Sequence, residues 1–216
     1  AILSAAGLVR VWERLRRPQA NDFLAASRRP YWATGIGCAP SAAVWAQAAR
    51  AEAGTTAGQA VGGFIRDASN YYEAFHIELL RDRALRTGVP AVIVKVTYNL
   101  WRGPRLLKYR GDVHPIPYYA RFGLPAGDIF NDVFVRAYAI ESLDLFTLRH
   151  RRIRFTSCVD DSAVVAVGTT DDVVALVTSA AADLEHVLRV DLGAGLAQRK
   201  LVTLGSTQAL ADRLKS

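Results

Sequence analysis

"FTSCVDDSAVVAVG", residues 155 to 168, sets two adjacent aspartates, Asp160 and Asp161, between two runs rich in β-branched residues. The flanks "RIRFTSCV" (152–159) and "SAVVAVG" (162–168) read as the two strands of a hairpin, with the aspartates at the join. Carboxylates are costly in a buried sheet unless something neutralises them. The pair therefore reads either as a plain solvated turn or as a metal site. The hairpin alone does not choose.

The rest of the chain limits the choice. It has 216 residues, 51% of them hydrophobic, enough for one large domain or two small ones with a substantial core. No apolar run reaches the ~18 residues that a membrane span needs. Charges within "LVRVWERLRRP" exclude a signal peptide at the start. The sequence contains no methionine, which reads as a fragment or processed piece of something longer. The net charge is +7 and the cations are mostly arginine. Arginine suits bidentate contact with phosphate, and a basic domain suits an anionic partner such as nucleic acid. A coding bias towards Ala, Arg, Val and Gly explains the same excess equally well. Cys38 and Cys158 form no metal-ligand spacing and no disulfide framework, so a reducing compartment is expected.

Along the chain, residues 1–59 read as helical pieces interrupted at "SRRPYW" and "GIGCAPS", with "AEAGTTAGQ" (51–59) as a loop. "AVGGFIRD" (60–67) reads as a strand weakened by Gly62 and Gly63. "NYYEAFHIELLRDRALRTGVP" (70–90) reads as one helix, and "AVIVKVTYNLW" (91–101) as either strand or helix. "RGPRLLKYRGD" reads as a turn and a basic strand. "FGLPAGD" (122–128) is a glycine-rich loop opening a helix. The stretch from Thr169 to Gly193 is the clearest helix, with Thr170 as its cap, and "KLVTLGS" follows as a last strand. This order predicts an α+β domain with a mainly antiparallel sheet and helices on one face.

Asp67 ends a predicted strand, and Asp160 and Asp161 sit at a predicted hairpin tip. If those strands are neighbours, three carboxylates meet at one end of a sheet. Such a cluster repels itself unless cations bind, and Mg²⁺ is held by one or two carboxylates plus substrate phosphates. Two such ions serve phosphoryl transfer. The four histidines share no ligand spacing, and Gly35, Gly37, Gly62 and Gly63 make no nucleotide fingerprint. "LRHRRIRF" (148–155) reads equally as a phosphate-contacting run or as a charged strand edge.

With these blocks in view, residues 25 to 207 resemble the reverse transcriptase family, in particular its retrotransposon and group II intron-like branches. "CVDDSAVV" is similar to the family's aromatic-x-Asp-Asp hairpin. "FIRDASNYYEAF" resembles the first catalytic block, a strand ending in Asp followed by an aromatic five positions on. "FGLPAGDIFND" is similar to the Gly-x-Pro-x-Gly loop, and "GLAQRKLVTLGS" to the later block with a lysine before a strand. The resemblance implies partial fingers over 1–59, a palm over 60–216 and no thumb. It implies Asp67 and Asp160 as main ligands of two Mg²⁺ (or Mn²⁺), with Asp161 and the Ala68 carbonyl in support. It implies that Tyr72 tells deoxyribose from ribose, that Gly123, Pro125 and Gly127 shape a loop under the templating pair, and that Lys200, Arg28 and Arg29 lie near the triphosphate. RNA template, DNA primer and dNTPs are the implied partners, in the nucleus or cytoplasm and without a membrane. Three positions depart from the pattern. Cys158 stands in the aromatic's place, Ala126 where many members have Gln, and Asp128 where a small polar residue is usual. A degenerate copy that binds nucleic acid without catalysis, another palm-fold enzyme such as an RNA-dependent RNA polymerase or a nucleotidyl cyclase, and a scaffold with no active site are the rival readings.

Overall fold

The computed structural model describes residues 7–34, 39–106, 108–125, 127–197 and 200–215, with only the backbone at Lys108. Gly35, Gly37, Cys38 and Ala126 lie outside the described residues. The described chain is α+β, and its residues group into two compact units. One comprises 1–27 and 72–139, the other 28–71 and 140–216.

The first unit contains α1 (Gly7–Ala26), α4 (Ile77–Arg86), α5 (Ala91–Arg102) and the start of α6 (Asn131–Arg149). The ambiguous segment 91–101 is helical. Its buried positions Ile93, Val94, Thr97 and Trp101 keep a helical period, and Pro90 stands at its cap. Trp101 packs edge-on against Phe134 at 4.7 Å, and Phe75 against Tyr138 at 4.6 Å. A small hairpin, β2 (Lys108–Tyr109) and β3 (Asp112–Val113), turns at Arg110 and Gly111. Both have positive φ (50° and 100°), as a type I′ turn requires.

The helix expected over 70–90 is broken in two. A single turn, α3 (Tyr71–Ala74), precedes α4, and Phe75 and His76 are not helical. Tertiary hydrogen bonding explains the break. The carbonyls of Tyr72 and Phe75 accept from Leu124 N (2.8 Å) and Gly123 N (2.9 Å), and Ile77 N donates to Arg121 O (3.1 Å). The glycine-rich loop thus takes backbone groups that a continuous helix would use itself. His76, extended at ψ 116°, starts the second helix, its Nδ1 accepting from Leu79 N.

Asp128, at the end of the glycine-rich loop, is buried. It accepts from Phe130 N (2.8 Å) and Trp101 Nε1 (3.0 Å). Burial pushes its carboxyl above the usual range, partly offset by these two donors. Burial and then the Asp128 charge push Glu13 up as well. A raised carboxyl pKa means that the folded state holds its proton where the unfolded chain has released it. Stability is then lost as pH rises through the window from the unfolded value, about 3.8, to the raised folded one. Asp128 is therefore expected to oppose acid denaturation: thermal melts from pH 7 downward should show a smaller loss, or a gain, of stability just above pH 4 than in Asp128→Asn.

The second unit is built on a five-stranded antiparallel sheet. Its order is β4 (Arg154–Cys158), β5 (Asp161–Gly168), β1 (Ala60–Ser69), β6 (Gly195–Leu196), with β7 (Val202–Gly205) pairing β1 along Gly62–Ile65. The predicted strand at 60–67 and the predicted hairpin are both present and are neighbours. The two strand faces differ. Phe64, Phe155, Val164 and Ala166 are buried on one side, where α7 (Thr170–His186) packs. A Cβ on Gly62 would come within 2.7 Å of Val173 in α7 and 2.9 Å of Leu214 in α8 (Gln208–Lys215). The other face carries Asp67, Asp161 and Cys158 at one end. At the far end α2 (Pro40–Thr56) covers Val61 and Val167.

Two expectations change here. Residues 51–56 are the end of α2, not a loop. Gly54 serves close packing, since a Cβ there would lie 2.8 Å from both Val61 and Val167. The α7 cap is Thr169, whose side chain accepts from Asp172 N (3.2 Å), one residue before the expected Thr170. A π-helical turn (Val187–Asp191) then extends α7 towards Gly193, whose φ is 67°.

Candidate active site

The site is built by strand register. Asp67 is directly opposite Asp161 in the β1–β5 ladder, so both side chains leave the same sheet face. Asp161 in turn closes the β4–β5 hairpin opposite Cys158, leaving Val159 and Asp160 as a two-residue turn. Ala68 N donates to Asp160 O (3.0 Å) and ties the turn to β1. Asp67 and Asp161 thus share one end of the open face, and the Asp160 charge acts on Asp161 from the adjoining turn.

The turn is strained. Val159 has φ 59° while Asp160 has no positive φ, the pattern of a type II′ turn, where glycine is usual. A β-branched residue in the left-handed region costs about 1–2 kcal/mol. Glycine's extra entropy in the unfolded chain costs about 0.5–1 kcal/mol. Val159→Gly should therefore stabilise the protein by roughly 0.5–1 kcal/mol, raising Tm by about 1–4 °C, as calorimetry would record.

Electrostatics at the cluster follow from the crowding. Loss of surrounding water, then the charges of Asp160 and Asp67, push the Asp161 carboxyl up, and Lys200 pulls it part of the way back. The Lys200 ammonium lies 2.8 Å from Asp67 Oδ2, with the Asp67 side chain only 14% exposed. Asp67 raises the Lys200 pKa through that contact. Ala197 N donates to Asp67 O (3.1 Å), and Lys200 N to Ala197 O (2.9 Å), so the backbone leading to Lys200 is anchored on the same strand end. Burial, then Asp161 and Asp160, raise the Cys158 thiol, which makes it a poor nucleophile.

Among the described residues, no group of three or more His, Cys, Asp or Glu side chains converges as a ready metal site. The donor set still fits Mg²⁺, which binds through one or two carboxylates completed by substrate phosphates rather than an all-protein cage. Crowded carboxylates with one largely exposed ammonium among them suit such an ion.

Tyr72, Gly123, Pro125 and Gly127 belong to the other unit. Gly123 (φ 93°) and Gly127 (φ 94°) need their glycines for backbone reasons. Pro125 O accepts from Asn131 Nδ2 (2.9 Å), which fixes the loop to the start of α6. Tyr71 is buried, while Tyr72 is half-buried.

Arg29 and Arg28 differ. The Arg29 Nε lies 2.9 and 3.0 Å from the Asp144 carboxylate oxygens, and Tyr31 Oη donates to the same group (2.8 Å). Arg28 is exposed. In 148–155, Arg149 pairs with Asp183, and Arg152 with Asp172, so much of this basic run is tied to the protein itself. His150 also meets Asp183 at 2.9 Å. Two elements were missed in sequence, the short β6 and the terminal α8, because neither carries a run long enough to show a period.

No family model matches the sequence, and no curated protein matches it. Solved structures do. Telomerase from Candida tropicalis, truncated from its C-terminal domain, superimposes with a TM-score of 0.64 at 13% identity, over 88% of this chain and 40% of that one. Telomerase from Candida albicans, in complex with a TWJ fragment of telomeric RNA, gives 0.62 at 13% identity, over 92% and 36%. The Candida tropicalis enzyme with the same kind of RNA fragment gives 0.64 at 11%, over 89% and 33%. The fold is reverse-transcriptase-like. The chain spans roughly a third to two fifths of these telomerases. No helix among the described residues is long and apolar enough to cross a membrane.

Proposed function

We propose that this chain is the fingers-and-palm part of an RNA-directed DNA polymerase of a retroelement. The observation that carries the reading is the direct pairing of Asp67 with Asp161, and the turn at Asp160, on one open face of a reverse-transcriptase-like sheet. The retroelement origin rests on the sequence blocks alone. In the proposed reaction the primer 3′-hydroxyl oxygen bonds to the α-phosphorus of a dNTP. The bond to the β-phosphate bridge breaks, and pyrophosphate leaves with the electron pair. Bound Mg²⁺ or Mn²⁺ would neutralise the phosphates and favour loss of the hydroxyl proton. Asp67 and Asp160 would hold the ions, with Asp161 and the Ala68 carbonyl in support. Lys200, already drawn to the cluster, would leave Asp67 and meet the triphosphate.

Primer extension on an RNA template, with dNTPs and Mg²⁺ or Mn²⁺, tests this. Synthesis supports the reading, and a folded protein that binds duplex without synthesis overturns it. Tyr72 tests the sugar. Tyr72→Ala should raise ribonucleotide incorporation by on the order of 10–100-fold relative to dNTPs, the scale on which a packing contact discriminates. An RNA-dependent RNA polymerase would show no such change. A binding-only copy is the second reading, favoured by Cys158 in the aromatic's place.

A further inference from the structure

We infer that a groove between α2 and β4 grips the phosphodiester backbone of a nucleic-acid strand, away from the reacting phosphates. The inference rests on the nucleic-acid reading above. The groove lies wholly in the second unit and encloses a cavity of about 230 Å³. Arg28, Arg50 and Arg154 line it together with Gln47, Thr156 and Trp32. Ala42, Ala43 and Ala46 of α2 also line it, so the helix presents small side chains there.

The charge of this groove is unmatched. Among the described residues, none of the three arginines lies within ion-pair distance of a carboxylate, whereas Arg29 beside them is fully engaged with Asp144. Burial, then the nearby charge of Arg50, lowers the Arg154 pKa, so these guanidinia repel one another. Arg154 donates to the Pro30 carbonyl, at 3.3 Å. The hydrogen bond from Gln47 Nε2 to Thr156 Oγ1 (3.1 Å) joins α2 to β4 across the groove. Clustered, unpaired guanidinia on a joined framework match an anion with several oxygens.

Strand geometry chooses among phosphates. Arg154 and Thr156 lie on the same face of β4 as Cys158, which is opposite Asp161. Four residues at about 3.3 Å each put Arg154 roughly 13 Å from the carboxylate end. A triphosphate reacting there does not extend that far. At about 3.4 Å per nucleotide, the groove meets a strand about four nucleotides from the reacting end. β4 is the outermost named strand of its sheet, and its outer edge is bridged at Ser157 by the 31–33 segment (Ser157 N to Tyr31 O, 2.7 Å; Ala33 N to Ser157 O, 2.8 Å), which brings Trp32 into the groove wall.

The test measures binding of a primer–template duplex to the full chain by fluorescence anisotropy across salt concentrations, without synthesis. Arg50→Gln and Arg28→Gln should each weaken binding several-fold and reduce the log–log salt slope by about one. Arg50→Lys, which keeps the charge, should retain most of the slope. Phosphate ethylation should interfere about four nucleotides from the primer end. Melting temperatures equal to the parent exclude misfolding, and Arg50 on an exposed helix face makes that the expected control. An unchanged slope overturns the proposal. So does loss of free dNTP binding with duplex binding intact, which would assign the groove to the triphosphate. If the slope changes while the parent chain makes no DNA, the polymerase reading fails and the groove stands.

Discussion

Asp160→Asn should abolish primer extension, by about 10³-fold or more, while duplex binding and melting temperature stay near those of the parent. Asparagine keeps the shape and leaves the Ala68 N to Asp160 O hydrogen bond untouched, because that bond uses the backbone. What is lost is one negative charge beside Asp67 and Asp161. A missing ligand to an ion that stabilises the transferring phosphate costs several kcal/mol of transition-state stabilisation, and each ~1.4 kcal/mol is tenfold in rate. Asp67→Asn should act in the same way and also release Lys200, whose ion pair it would break. The measurement is single-turnover extension on an RNA template. Synthesis that survives Asp160→Asn within tenfold would remove the carboxylate cluster from the chemistry.

Gly63→Ala should unfold the second unit. A Cβ at Gly63 would fall 2.0 Å from the carbonyl oxygen of Val164 and 3.1 Å from the Cα of Val165. Both are backbone atoms of the adjacent strand, so no rotamer change relieves the contact. β1 and β5 would have to separate, and β1 is the strand on which β5, β6 and β7 all pair. A cost above ~4 kcal/mol is expected, in the range reserved for severe core lesions. Circular dichroism and urea melts would show a lost or strongly shifted transition. By contrast, Gly62 faces the side chains of Val173, Leu210 and Leu214, which have some freedom to move. Gly62→Ala should cost less, and reversal of that order would contradict the packing described.

The glycine pair that weakened the strand in sequence is thus what lets the strand sit at the centre of its sheet. Propensity penalises glycine because it counts the entropy of one residue, whereas the neighbour's backbone lies outside any local window. The break at Phe75 and His76 has the same origin. The apolar spacing of Phe75, Leu79, Leu80 and Ala84 suits one helix, but carbonyls of Tyr72 and Phe75 are claimed by residues 124 and 123. Sequence distance hides that competition. The segment around Gly54 likewise reads as a loop by residue type, and packing of that glycine against Val61 and Val167 makes it helix instead.

By itself the sequence determined the α+β class, the hairpin at 154–168, the long helix after it and the strand ending near Asp67, because those signals are periodic and local. It also singled out the three aspartates. Only the tertiary structure decided that Asp67 faces Asp161 across a ladder, that Lys200 reaches Asp67, that Arg29 is held by Asp144 and that Arg28, Arg50 and Arg154 share a groove. Each of these depends on strand register or on contacts between residues far apart in the chain, and a one-residue slip in register would move every side chain to the opposite face.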